Sequence, residues 1–148
     1  MPVSLLDVNV LIALAWPNHI HNETAHRWFA NHRRLGWATC THTQLAFLRL
    51  SIQPAAVKTV VSAATALDTL AANLADPDHE FWPLEYSVSN ILPEIQERIV
   101  GHQQWADALL LDLAIRRHGR LVTFDRRIGS LLPPDSAHRS AIQILPTE

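Results

Sequence analysis

The chain has only one cysteine, Cys40, which excludes an internal disulfide and any metal centre built from cysteine sulfur. The cytoplasm is therefore the expected compartment. A basic leading region is missing too. The first apolar run, Val3 to Trp16, is too short to span a bilayer and carries Asp7 inside it, so neither a signal peptide nor a membrane helix is expected. Nor is there an excess of positive charge: a formal net charge of −2 rules out binding nucleic acid through net charge alone. No long tract is polar enough for disorder, because 48% of the residues are hydrophobic and 18% charged, a globular composition. Linkers, repeats and low-complexity segments are absent. The 148 residues suit one domain, 1–148, with its own core.

What the chain does have is arginine. Lys58 is the only lysine, while Arg116, Arg117, Arg120, Arg126 and Arg127 crowd one short stretch. Their forked donors suit phosphate and carboxylate, so the stretch is either a seat for an anionic partner or a solvated rim.

Apolar patterning divides the chain into alternating strands and helices. Val3–Leu6 reads as a buried strand, and the helix after it stops at Trp16-Pro17-Asn18. An amphipathic helix from about Asn22 to Arg33 carries Ala25, Trp28 and Phe29 on one face. Trp37–Cys40 is a second strand, with Thr41 or Thr43 capping a helix from Gln44 to Leu50. A long helix is expected from Pro54 to Leu74. Its seam of Val57, Val60, Ala64, Leu67, Ala71 and Leu74 packs in the core or, if exposed, binds a protein. His79–Trp82 is a third strand, Leu84–Gly101 has only short helical pieces, and Gln103–His118 is a clear helix ended by Gly119. Arg120–Phe124 and Ala141–Leu145 complete the strands. This alternation predicts an α/β fold of three layers, with helices on both faces of a mostly parallel sheet of about five strands.

The polar interruptions of the apolar pattern converge on that architecture. Asp7 and Asp125 lie just past strand carboxyl ends, the edge where open α/β sheets hold ligands. Asp107 lies near the start of a crossover helix that begins at the same edge, about 40° from Leu111 and about 60° from Leu110 around the helix. Asp112 lies about 140° away, with Arg116 four residues on, and reads as an ordinary surface pair. Gln44 is the first polar side chain of the helix after the second strand, and Asn9 and Thr123 lie beside the acids. Taken singly, Asp7 is a helix cap, Asp107 a first-turn acid and Asp125 a turn former. Together, three carboxylates in a partly buried place repel one another, and a divalent cation or a shared proton relieves that. Oxygen ligands favour magnesium or manganese over zinc. His21 and His26, with His19 nearby, are spaced i to i+5 and so face different sides of a helix, unlike a zinc-binding i, i+4 pair.

With those residues in place, the chain resembles the PIN-domain family and, within it, the VapC toxins of bacterial type II toxin–antitoxin pairs. The resemblance covers essentially the whole sequence. It rests on Leu5-Leu6-Asp7-Val8-Asn9-Val10-Leu11-Ile12-Ala13-Leu14, Thr41 to Ser51, Ala106-Asp107-Ala108 and Leu121-Val122-Thr123-Phe124-Asp125, with His79-Glu80-Phe81-Trp82-Pro83 similar to a VapC subgroup. It implies a magnesium-dependent endoribonuclease, with manganese able to substitute, that cuts structured RNA such as tRNA or rRNA. The resemblance further implies 5′ phosphate and 3′ hydroxyl products, restraint by a cognate VapB-type antitoxin, and a homodimer. Asp7, Asp107 and Asp125 are the expected metal ligands. Gln44, Asn9 and Thr123 complete the expected catalytic group, and Arg120, Arg126 and Arg127 are the expected RNA contacts, with Trp82 or Trp105 either stacking on an unpaired base or, as Trp in a strand or helix start more often does, packing in the core.

One residue departs from the pattern: Gln44 stands where the family usually has Glu. The amide still offers a carbonyl oxygen but removes one negative charge and one possible base, so either metal affinity falls or a single ion suffices. That departure leaves open a catalytically weakened PIN-fold interaction module. A phosphatase with paired strand-end acids would need an acid where Asn9 stands. A receiver domain would need a lysine late in the chain, and Lys58 falls in the middle.

Overall fold

Short segments, apolar except at the edge strand His79–Phe81, become the five strands of one sheet in a computed structural model that describes residues 2–147. They are β1 (Ser4–Leu6), β2 (Trp37–Thr39), β3 (His79–Phe81), β4 (Arg120–Thr123) and β5 (Ile142–Ile144). In space the order is β3, β2, β1, β4, β5, and every pairing is parallel. β1 is central, and all three of its residues are buried, as a strand covered on both faces requires.

Seven α-helices connect the strands: α1 (Val8–Ala15), α2 (Asn22–His32), α3 (Thr41–Ser51), α4 (Pro54–Val57), α5 (Ala63–Leu74), α6 (Pro93–Gln96) and α7 (Gln104–Arg116). Side chains alternate across the sheet, so Leu6 and Val122 join Val10, Trp28, Phe47 and Leu70 in one apolar layer. Leu5 and Leu121 join Leu111, Leu113, Ile95 and Ile128 in the other. The three-layer α/β/α arrangement expected from the sequence is what forms. No helix among the described residues is long and apolar enough to cross a membrane.

Three local expectations are corrected. The helix drawn from Pro54 to Leu74 breaks at Lys58, which adopts a left-handed backbone with φ 64°. A new helix starts where the Ser62 hydroxyl accepts the Thr65 amide at 3.1 Å. The break rotates the seam: Val57, Val61, Ala66 and Leu70 are buried, whereas Val60 and Leu67 are 87% and 56% exposed. α3 begins at Thr41 rather than Gln44, with buried Cys40 at its cap position, and Thr43 Oγ accepts the Cys40 amide at 3.0 Å.

The third correction concerns Asp112, which is fully buried rather than on the surface. One of its oxygens accepts the Leu92 amide at 2.9 Å and the other accepts Arg116 Nε at 2.6 Å. The cause is the segment between β3 and α7, which lacks a clear apolar period yet folds over α7 through α6. Asp112 pins it there. Replacing Asp112 with Ala leaves a buried amide and a half-covered guanidinium without their acceptor. Stability should fall by about 2–3 kcal/mol, less than for a wholly buried pair because Arg116 reaches water. Urea unfolding of the variant measures this, and a loss below about 0.5 kcal/mol would show the carboxylate to be dispensable.

Candidate active site

Because all five strands run parallel, their carboxyl ends share one edge, and β1 and β4 lie side by side there with Leu6 opposite Val122. Asp7 leaves β1 at that edge and caps α1: one oxygen accepts the Val8 amide at 2.7 Å and the other accepts the Thr123 hydroxyl at 2.7 Å. The residue is 5% exposed. Thr123, fully buried at the end of β4, also accepts Asn9 Nδ2 at 3.1 Å and the Asp125 amide at 3.0 Å. Asn9 in turn accepts the Phe124 amide at 3.2 Å. Asp7, Asn9, Thr123 and Asp125 thus form one bonded group at the junction of the two central strands.

Asp107, in the first turn of α7, faces this group and is coupled to it by charge. Burial, then the charges of Asp7 and Asp125, push its carboxyl up to about 6. Burial also raises Asp7, against the hydrogen bonds from Thr123 and Val8, with Asp125 adding repulsion. Asp125 behaves oppositely. Arg127 grips both of its oxygens, Nε and a terminal nitrogen each at 3.0 Å, and holds the carboxyl below the ordinary carboxylate range.

Six oxygen-bearing side chains were expected here, and five converge. The sixth, Gln44, hydrogen-bonds through Nε2 to Thr39 Oγ at 3.0 Å, on the neighbouring strand end. Oxygen donors with two desolvated, mutually repelling carboxyls suit a hard divalent cation. Among the described residues, however, no three Asp, Glu, His or Cys side chains close into a finished ligand shell. Arg127 already occupies Asp125, and an arriving cation competes with that guanidinium.

The arginines separate. Arg126 and Arg127 are exposed beside Asp125, at the acid edge. Arg120 is not: it starts β4 opposite Ser4, so it lies at the amino edge, roughly 10 Å of strand from Thr123. Arg116 binds Asp112 and lies over Tyr86, while Arg117 lies over Trp82. Trp82 is buried core and cannot stack on a base, whereas Trp105 is 48% exposed. The histidines near α2 form no metal cluster: His26 bonds the Leu14 carbonyl at 2.8 Å and His21 stacks on Phe124.

Two features escaped the sequence. His42, in the first turn of α3, lies close enough to Asp7 to favour its charged form. A cleft of about 290 Å³ opens beside Asp107 and Arg127, walled by Val100, Gly101, His102 and Gln104. Gln104 shapes it by accepting the amides of Val100 and Gly101 at 2.7 and 2.9 Å. The Gly101–Gln104 spacing was the available signal.

An acid whose folded pKa is raised holds its proton longer folded than unfolded, so it costs stability as pH rises from 3.8 through about 6. Asp107→Asn should therefore raise the melting temperature of chelator-treated protein at pH 7.5 and change it little at pH 4. Scanning calorimetry of both proteins at both pH values checks this, and an equal effect at the two pH values would contradict the assigned burial and repulsion.

The PIN domain family model matches residues 4–131. Ribonuclease VapC38 of Mycobacterium tuberculosis is 43% identical over 129 residues, spanning 87% of this chain and 89% of its own. Ribonuclease VapC39 of the same organism is 37% identical over 142 residues, spanning 96% and 99%. Among solved structures, VapBC2 from Rickettsia felis, bound to a promoter DNA fragment, superimposes with a TM-score of 0.62 over 97% of this chain and 99% of that one, at 14% identity. With the acid edge built on the same strand ends that carry the sequence motifs, the chain belongs to the PIN-domain family and is a homologue of the VapC ribonucleases.

Proposed function

We propose that the protein is a divalent-metal-dependent endoribonuclease of the VapC type that cuts structured RNA and is restrained by an antitoxin. The observation that carries this reading is the pair of charge-coupled carboxyls, buried Asp7 and half-buried Asp107, facing Asp125 at one strand edge. Asp7, Asp107 and Asp125 would hold magnesium or manganese. When bound, the ion makes a water acidic enough to attack a phosphodiester and offsets charge on the departing oxygen. Thr123 and the Val8 amide hold the Asp7 carboxyl in place and favour its ionised form against burial, and Asn9 locks Thr123 in place. Arg126 stands exposed to meet phosphates, Arg127 reaches water beside it while it grips Asp125, and Arg120 is withdrawn from that role by its place at the other edge.

The antitoxin reading is supported by a groove of about 400 Å³ lined by Leu11, Leu14, Phe29, Phe47 and Leu70, with Arg33 and Asp76 also in its wall. The homodimer reading is supported by the apolar side chains that the packed pair α3 and α5 leaves in water, Leu45 and Leu67 among them. The clamp of Arg127 on Asp125 and the amide at position 44 favour a second reading, an interaction module of PIN fold with weakened chemistry.

Manganese should raise the melting temperature of the natural protein, and Asp7→Asn should abolish most of that rise and cut RNA cleavage at least about a hundredfold. Metal protection without cleavage of any structured RNA would favour the interaction module. Arg127→Ala should bind manganese more tightly, because Asp125 is released, while RNA affinity falls and its salt dependence becomes shallower by about one counterion. A manganese titration and filter binding at several salt concentrations read the two arms. Weaker manganese binding in that variant would show that Arg127 does not compete for Asp125.

A further inference from the structure

Gln44 is joined to a short polar chain running away from the acids. Its Nε2 lies 3.0 Å from Thr39 Oγ, and that hydroxyl lies 2.8 Å from Nε2 of His79, the first residue of β3. The His79 ring packs on Trp37 with ring centroids 4.6 Å apart, and the backbone of Leu74 favours a proton on it. Thr39 is fully buried, so water cannot take the place of any partner.

The Gln44 amide nitrogen donates to Thr39, and donor and acceptor rules carry that direction along the chain. The Leu74 carbonyl can only accept, so its influence favours a ring hydrogen on the nitrogen that Thr39 does not occupy. With Nε2 occupied by Thr39, the donating nitrogen is Nδ1. A neutral imidazole protonated at Nδ1 offers only a lone pair at Nε2. The single hydroxyl hydrogen of Thr39 must go there, which leaves the Thr39 oxygen to accept from residue 44. Gln donates to it through Nε2. Glu has no hydrogen to give and would need the Thr39 hydrogen for itself, so His79 would have to donate from both nitrogens, as a cation. Burial works against that cation, while the carboxylates that face it, Asp76 and Glu80, favour it.

We propose that His79, acting through Thr39, is the positioning residue that orients the Gln44 amide. Its Nε2 is held by the sheet and its carbonyl oxygen is left for the metal edge, and Gln rather than Glu matches a His79 protonated on Nδ1. The inference rests on the nuclease reading for the value of that carbonyl oxygen. The bonding pattern itself does not.

Ring nitrogen shifts of His79, read by long-range proton–nitrogen correlation in chelator-treated protein, test the pattern without reference to activity. The natural protein should show a neutral ring with its hydrogen on Nδ1 at pH 7. In Gln44→Glu the same ring should gain a second proton, its titration midpoint rising by about one pH unit or more. Thr39→Val should make the His79 titration indifferent to the residue at 44. A hydrogen on Nε2 in the natural protein, or identical titrations with Gln and Glu, would overturn the proposal. Manganese titration then tests the positioning role: His79→Phe should weaken binding several-fold, and adding Gln44→Glu should restore it, since Thr39 can then donate to Glu. Weakening without restoration would reduce His79 to a packing residue. If manganese fails to bind the natural protein, the metal reading falls while the ring shifts still decide the relay.

Discussion

The Thr123 hydroxyl has one hydrogen, and it goes to Asp7. A buried carboxylate without such a donor would sit in apolar surroundings at a cost far above what its neighbours gain by packing. Thr123 lowers that cost, and its remaining lone pairs take Asn9 and the Asp125 amide. One atom therefore sets the relative positions of the ends of β1 and β4 and of the polar side chains leaving them. The parallel pairing of those strands is what brings the atom within reach, since Leu6 and Val122 stand opposite one another.

From that junction the three acids diverge in character. Asp7 is buried and bonded, Asp107 is raised by burial and by its neighbours, and Asp125 is kept ionised by a guanidinium on its own 3₁₀ turn. A site with identical carboxyls would share its charge evenly. Here one is committed to the framework, one is poised near neutrality, and one is guarded by an exposed arginine.

Much of this was legible before any coordinates. Asp7, Asp107 and Asp125 break apolar patterns that otherwise continue through them, and a strand end or first helical turn follows directly from the period. The sheet was legible for the same reason, because its three inner strands are short, largely apolar and buried runs bounded by Gly, Pro or polar residues. What was hidden depends on partners far away in sequence. Asp112 looked superficial because the segment that buries it has no period of its own. Arg120 looked like a companion of Arg126 because proximity along the chain says nothing about which end of a strand a residue occupies. Lys58 hid the break in the long helix, since a lysine does not favour the left-handed backbone it adopts there.

The bond between Asp7 and Thr123 spans 116 positions of sequence. A growing chain presents Asp7 long before Thr123, so the acid edge has no existence on it until β4 docks against β1. Whatever chemistry that edge performs is switched on by the docking of β4 against β1, and no shorter piece of the fold carries it.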